Sequence, residues 1–376
     1  GIRLNDNGKT YYFNSNGFNL NVDDNVINIL LLGEEAIGSG VGRGRTDMVM
    51  IASMNVKNHT VKLTSIMRDT LVQIPEFQGK TYLDNKLNSA YEIGGIQMLY
   101  ETIAKNFDIH LDGYVLVGFD DFEKIIDAIG GVEVTLSAKE ARYLNRTNYI
   151  SNPSNRNVVE GTQTLNGNQA LGFCRVRHVA TVDDQHYDYG RTSRQRVVLN
   201  AIFDKCKKLN PTDLVLLMND CLNYVTTDIT KEQFSNYLEI GLSLNLDKMD
   251  NCRIPAEGAY TEGSVRGMSV LIPDLDRNIS VLHNFIFGDP LPEGVEEGTI
   301  KDGLDHINAK KEEEARKEEE ARQQQMLENQ NSTNANGTNS TNTMNNTSSY
   351  NGTSSSNDTG NSGTISSGTS SSGSTW

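Results

Sequence analysis

Three apolar runs follow one another between residues 28 and 67: NILLLG (28–33), DMVMIASMN (47–55) and TVKLTSIM (60–67). Short continuous apolar runs of this kind read as strands buried in a sheet. The intervening VKNHT (56–60) reads as a hairpin turn. The period then changes. SAYEIGGIQMLYETIAKNF (89–107) reads as a helix with two glycines near its start, and GYVLVGF (113–119) as another strand. DDFEKIIDAIGG (120–131) is a compact helix, with Asp at its start and Gly-Gly at its stop, and VEVTL (132–136) is a strand. Strands mixed with helices throughout place the chain in the α/β class, or in an α/β/α layered arrangement.

Residues 137–166 are polar and read as loop. A short helix is expected within 166–179. Longer helices are expected at 190–209, at 211–225 with Pro211 at its start, and at 230–244. A last helix within 269–288 closes the domain. The apolar content then collapses. Residues 309–328 are helix formers with charges at i,i+4 spacing and no apolar stripe, which is the pattern of a solvated rod. Residues 329–376 are Asn, Ser, Thr and Gly, a composition that does not bury a core. The expected organisation is a lead-in (1–25), a globular domain (26–300), a charged helical linker (301–328) and a disordered tail (329–376).

The formal net charge is -15. Residues 301–376 hold 10 acidic and 6 basic side chains, which leaves -11 for the body. An acidic body without a helix-turn-helix or zinc signature argues against nucleic acid as a partner. No run of 18 apolar residues occurs, so no membrane span is expected within the chain. It starts at Gly1 rather than Met, which is read as a trimmed N-terminus from which an anchor is missing. The cysteines, Cys174, Cys206, Cys221 and Cys252, form no CxxC pair and do not suggest zinc. Two readings stay open for them: bridges Cys206–Cys221 and Cys174–Cys252, or four buried thiols.

The chemistry-bearing residues are arginines and carboxylates. Glu35 follows the first strand and Asp47 opens the second, across a glycine-rich loop, GSGVGRG, that fits neither a P-loop nor G-x-G-x-x-G. Two carboxylates at one sheet edge suit magnesium when phosphates complete its shell. Arg45 precedes Asp47, and Arg68 ends the third strand beside Asp69. Arg175 and Arg177 alternate in CRVRH and are expected on one face of an extended segment. Arg191 and Gln195 are four apart at the start of a helix, where an anion is favoured. Arginine clusters of this kind favour phosphate or pyrophosphate. The bland alternative is a set of solvated helix charges. The six histidines show no metal-ligand spacing, and neither Gly-x-Ser-x-Gly nor His-Glu-x-x-His occurs.

The order NILLLGEEAIGSGVGRGRTDMVMIASMNVKNHTVKLTSIMRDT, KLNSAYEIGG, FDDFEKIIDAIGGVEV, GNQALGFCRVRH and YGRTSRQRVVLNAI closely resembles the LytR-CpsA-Psr family over residues 26–245. The resemblance implies a mixed central sheet in an α/β/α sandwich, with an apolar tunnel for a polyprenyl chain. It implies transfer of a teichoic acid- or capsule-like glycopolymer from undecaprenyl pyrophosphate to peptidoglycan, as a phosphodiester, on the extracytoplasmic face of a bacterial membrane. By the same resemblance, Arg45, Arg68, Arg175, Arg177, Arg191 and Gln195 bind pyrophosphate, and Glu35 and Asp47 hold magnesium. Arg68, Arg175 and Asp47 are the expected catalytic residues, with Asp47 a candidate acceptor for the hydroxyl proton. Glu35 stands where the family usually has Asp, and Thr46 where it has Ser. The segment 178–190, HVATVDDQHYDYG, carries three extra aspartates. The alternatives are a polyprenyl-phosphate binder or regulatory envelope protein that transfers nothing, and a hydrolase that releases the glycan to water.

Overall fold

The computed structural model describes residues 2–6, 9–13, 19–20, 23, 25–34, 46–244 and 249–291, together with the single positions 316, 322 and 324. The chain divides into two units, Gly1–Glu314 and Ala315–Trp376, and the fold below belongs to the first. The linker and tail expected for 301–376 lie outside the described residues, apart from Arg316, Arg322 and Gln324, which are helical.

The lead-in forms a small antiparallel sheet of β1 (Ile2–Asp6), β2 (Lys9–Phe13) and β3 (Asn19–Leu20). The three apolar runs become β4 (Val26–Glu34), β5 (Thr46–Asn55) and β6 (Thr60–Ile66). β7 (Leu71–Val72) and β8 (Asn85–Lys86) lead into α1 (Leu87–Phe107), and then come β9 (Gly113–Gly118) and α2 (Phe119–Ala128). β10 (Val132–Leu136), α3 (Ala138–Arg146), β11 (Gly161–Leu165) and α4 (Gly167–Arg175) follow. The chain continues through α5 (Tyr187–Cys206), α6 (Pro211–Cys221), β12 (Thr226–Thr227) and α7 (Lys231–Ser243). It closes with β13 (Met249–Ile254), β14 (Tyr260–Val265), β15 (Met268–Pro273) and α8 (Leu275–Phe287).

The central sheet has the order β12-β9-β4-β5-β6-β13. It is mixed: β4 runs parallel to β9 and β6 parallel to β13, while β5 lies between β4 and β6 and is antiparallel to both. β4 reads both faces of the sheet, because successive side chains point to opposite sides. Leu30 and Leu32, 0% exposed, pack with α1 and α8 through Leu99, Ile103, Phe107, Val281 and Leu282. Each such side chain contributes about 1.5–3 kcal/mol by leaving water. Leu31 and Gly33 face the opposite layer, where α2, α4 and α5 surround a second core of Ile126, Val134, Leu144, Phe173 and Val198. The expected α/β/α layering is therefore present.

Two segments depart from the sequence reading. Residues 137–166 are not loop. Ser137 and Glu140 form a reciprocal capping box that starts α3, and β11 pairs antiparallel with β10 from Val132–Leu165 to Leu136–Gly161. β11 is GTQTL with one buried residue, too polar to register as a strand. The strands β13 and β14 also went unread, because half of MDNCRI is polar and YTEGSV carries polar residues at exposed positions. The kink in α1 falls at Gly95, whose φ of 69° is open to glycine at little cost.

All four cysteines are free thiols. A Cys174–Cys252 bridge is ruled out by the layering, since Cys174 belongs to the core around α4 and Cys252 to the core around α1. Burial raises the Cys174 thiol to about 12, so it is an inert core group. Cys206 and Cys221, at the ends of α5 and α6, are near enough for Cys206 to add to the burial that raises Cys221.

Candidate functional site

The site begins with a break in strand register. Gly33 pairs with Met48 and Glu34 pairs with Thr46, so Asp47 is the extra residue of a bulge at the start of β5. A bulge re-aims its side chain relative to the ladder. Asp47 Oδ1 accepts from Arg68 Nη1 and from Arg191 Nη1 at 3.3 Å, and forms an ion pair with Arg177 Nη2 at 3.9 Å. Asp47 Oδ2 receives none of them.

Arg68 sits in the turn Met67–Thr70, which is closed by Thr70 N and Thr70 Oγ1 on the Met67 carbonyl at 3.1 and 2.6 Å. Its neighbour Asp69 is taken up by Lys86 at 2.8 Å, with Arg68 Nε at 3.7 Å. Arg175 is the last residue of α4, and its guanidinium stacks on the Phe119 ring at 4.7 Å. Helix geometry thus reaches one residue further than the extended reading of CRVRH expected, and the extended backbone begins at Val176. Arg175 and Arg177 still line the same cavity. Arg191 and Gln195 share one face of α5, as their spacing predicts, and that face continues through Val198, Leu199 and Ile202 along the cavity wall.

The residue that sequence reasoning did not single out is Asp188. Its Oδ2 accepts from Arg68 Nε at 3.0 Å and Arg191 Nη2 at 3.1 Å, and its Oδ1 faces Arg177 Nε at 3.3 Å. The signal was present in its position, three residues before Arg191 in the first turn of a helix, where an acid is favoured. Burial opposes ionisation of Asp188, but the Arg191, Arg68 and Arg177 guanidiniums outweigh it and hold its carboxyl below the usual range. Burial pulls the Arg191 guanidinium down to about 10 against the pull of Asp188 and Asp47, with Arg68 and Arg177 adding to the drop. It remains a cation at neutral pH.

Three arginines, Arg68, Arg177 and Arg191, therefore face two carboxylates, Asp47 and Asp188, with Arg175 on the wall of the adjoining cavity. Arg191 Nε is buried and has no hydrogen-bond partner among the described residues, in a residue only 3% exposed. An unfilled buried donor in a net-positive cluster is a demand for an anion. Behind the cluster lies a cavity of about 400 Å³, walled by Leu31, Val115, Val117, Phe122, Ile125 and Leu171 as well as the apolar face of α5. The arrangement accommodates a molecule with an anionic head and a hydrocarbon tail.

The comparisons with known proteins bear on this arrangement. The LytR_cpsA_psr family model matches residues 4–282. The chain belongs to the LytR-CpsA-Psr family. Among its relatives is the polyisoprenyl-teichoic acid–peptidoglycan teichoic acid transferase TagU of Bacillus cereus (strain AH820), 31% identical over 237 residues, which span 62% of this chain and 70% of that protein. The corresponding transferase TagV of Bacillus subtilis (strain 168) is 32% identical over 177 residues, 47% of this chain and 43% of TagV. Solved structures share the LytR-CpsA-Psr fold. B. subtilis TagV aligns with a TM-score of 0.55 at 24% identity, covering 72% of this chain and all of that one. TagT bound to LIIa-WTA aligns with a TM-score of 0.54 at 24% identity, covering 70% and 92%.

Six of the eight residues that this family resemblance singled out are described, and the fold gathers all six. Asp47, Arg68, Arg177 and Arg191 are linked directly, and Arg175 and Gln195 line the same cavity. Glu35 and Arg45 lie outside the described residues. Among the described residues no group of three or more His, Cys, Asp or Glu side chains is placed to hold a metal by itself. Asp47 Oδ2, which accepts from none of the described arginines, suits a magnesium ion whose other ligands are phosphate oxygens and water.

Proposed function

We propose that this chain transfers a glycopolymer from a polyprenyl-pyrophosphate carrier to peptidoglycan, forming a phosphodiester. The observation that carries this reading is the arginine cluster at the head of an apolar cavity. The named activity of the TagU and TagV relatives supports it. In this reading the prenyl tail lies along Leu171, Val198, Leu199 and Ile202. Arg68, Arg175, Arg177 and Arg191 hold the pyrophosphate. A hydroxyl oxygen of the wall glycan bonds to the glycan-bearing phosphorus as its proton passes to Asp47, the bond from that phosphorus to the bridging oxygen breaks, and polyprenyl phosphate departs with the electron pair.

The fixed guanidiniums supply the electrostatic term. They stand in place before reaction, inside a partly water-free cavity, where charge stabilisation is worth more than in water. Before the donor binds, Asp47 and Asp188 balance part of that charge and keep the cluster from repelling itself apart. Magnesium, held through Asp47 and donor phosphates, would neutralise further charge on the phosphates. Arg45 and Glu35 join the pyrophosphate and metal sets in this proposal.

The place of action is the envelope, facing peptidoglycan. Among the described residues no helix is long and apolar enough to cross a membrane. An N-terminal anchor remains part of the proposal.

The test is to extract the purified protein with organic solvent and look for polyprenyl phosphates by mass spectrometry, alongside Arg68→Ala and Arg175→Ala. Lipid in the wild type and less in both variants supports the reading. No lipid, even after the wild type is incubated with polyprenyl pyrophosphate, refutes it.

A further inference from the structure

The chain leaves α4 at Arg175 and re-enters helix only at Tyr187. The backbone in between carries Arg177 and has no ladder to hold it. The side chain that holds it comes from α5. Arg194, 1% exposed, donates from Nη1 to the Val176 carbonyl at 3.0 Å and from Nη2 to the Val179 carbonyl at 2.8 Å. Its Nε donates to Glu140 Oε1 at 2.9 Å. Glu140 is equally buried, and its Oε2 accepts from Ser137 N and Ser137 Oγ, each at 2.9 Å, within the capping box of α3. The line of contacts runs from the start of α3, through Glu140 and Arg194, to two carbonyls that bracket Arg177.

A guanidinium serves this junction because its planar fork addresses a carboxylate and two carbonyls at once. A pair buried this deeply contributes little net stability against an apolar replacement, since desolvation offsets the attraction. What it supplies is geometry. Arg194 does not line the cavity and does not touch the Asp47–Asp188 cluster.

We propose that Arg194 and Glu140 are positioning residues for the anion site: they fix the backbone at Val176 and Val179, and thereby fix where Arg175 and Arg177 present their guanidiniums to the donor pyrophosphate. The proposal rests on the donor reading given above. Of the five arginines between residues 175 and 196, three then address the anion, and Arg194 sets the place of two of those.

The test measures binding of two probes, farnesyl pyrophosphate and farnesol, by the wild type and by Arg194→Lys. Lysine keeps a positive charge beside Glu140 but cannot bridge both carbonyls. The expected result is an affinity for farnesyl pyrophosphate lower by between about tenfold and a hundredfold, as displaced binding groups give, with the affinity for farnesol unchanged. A purely structural role would lower both affinities together, and that outcome, or no change in either, overturns the proposal. If Arg194→Lys does not fold, Glu140→Gln is read in the same way, with the same split expected and the same outcomes overturning it. A wild type that binds farnesol but not farnesyl pyrophosphate overturns the donor reading, and this proposal falls with it.

Discussion

Asp47 and Arg191 are 144 residues apart in the chain and joined by a 3.3 Å hydrogen bond in the fold. One opens a strand through a bulge, and the other rides the first turns of a helix in the opposite layer. Their contact places the anion site where the sheet meets α5. Arg191→Met retains length and loses the charge. The affinity for farnesyl pyrophosphate should fall by about tenfold to a hundredfold, since a hydrogen bond to a charged group is worth about 1.5–3 kcal/mol. Isothermal titration checks this, and an unchanged affinity would remove Arg191 from the site.

Asp188 gives a pH dependence whose sign follows from its lowered pKa. Its folded-state value lies below the unfolded one, so its contribution to stability is complete above the usual carboxylate range, about 4, and is lost as pH falls through the folded value. Asp188→Asn should therefore melt below the wild type at pH 7, and the gap should close as the pH drops under about 4. Melting curves from pH 3 to pH 7 test it. A gap that is constant with pH would mean that the Asp188 charge plays no part.

The cavity predicts a separation between head and tail. Leu199→Trp places a bulky ring in the apolar wall of the cavity. Binding of prenyl pyrophosphates should weaken with increasing chain length, while inorganic pyrophosphate should bind as it does to the wild type. Equal losses for short and long chains would place the tail elsewhere.

Gly167 sets how closely α4 approaches α2. A Cβ there would lie 2.1 Å from the Glu123 carbonyl oxygen, which is backbone and cannot swing aside. Gly167→Ala should cost about 1–3 kcal/mol, the usual range for overpacking a filled core. Chemical denaturation measures it. A neutral result would show that the two helices separate freely.

The strands of the sheet centre were legible because β4, β5 and β6 are apolar enough to betray themselves locally. The strands β11 and β13 were not, because their pairing is decided by partners distant in sequence and not by apolar content. At the site, Arg191 and Gln195 could be paired from helical spacing alone. Asp188 could not be tied to Arg68, since nothing local joins residues 120 apart. Arg194 was visible only as one more charge in TSRQR. Its separation from the anion cluster depends on the Glu140 cap, which lies within the segment read as loop.

The central claim is tested most directly by transfer itself. The purified protein would be incubated with a radiolabelled glycan on a polyprenyl-pyrophosphate carrier, isolated peptidoglycan and magnesium, and label in the washed, insoluble wall would be counted for the wild type and for Arg68→Ala. The account predicts label in the wall as a phosphodiester, falling about a hundredfold in rate for Arg68→Ala, the scale of losing one preorganised charge donor. Label that stays on the carrier, or that is released as free glycan with none in the wall, would contradict it.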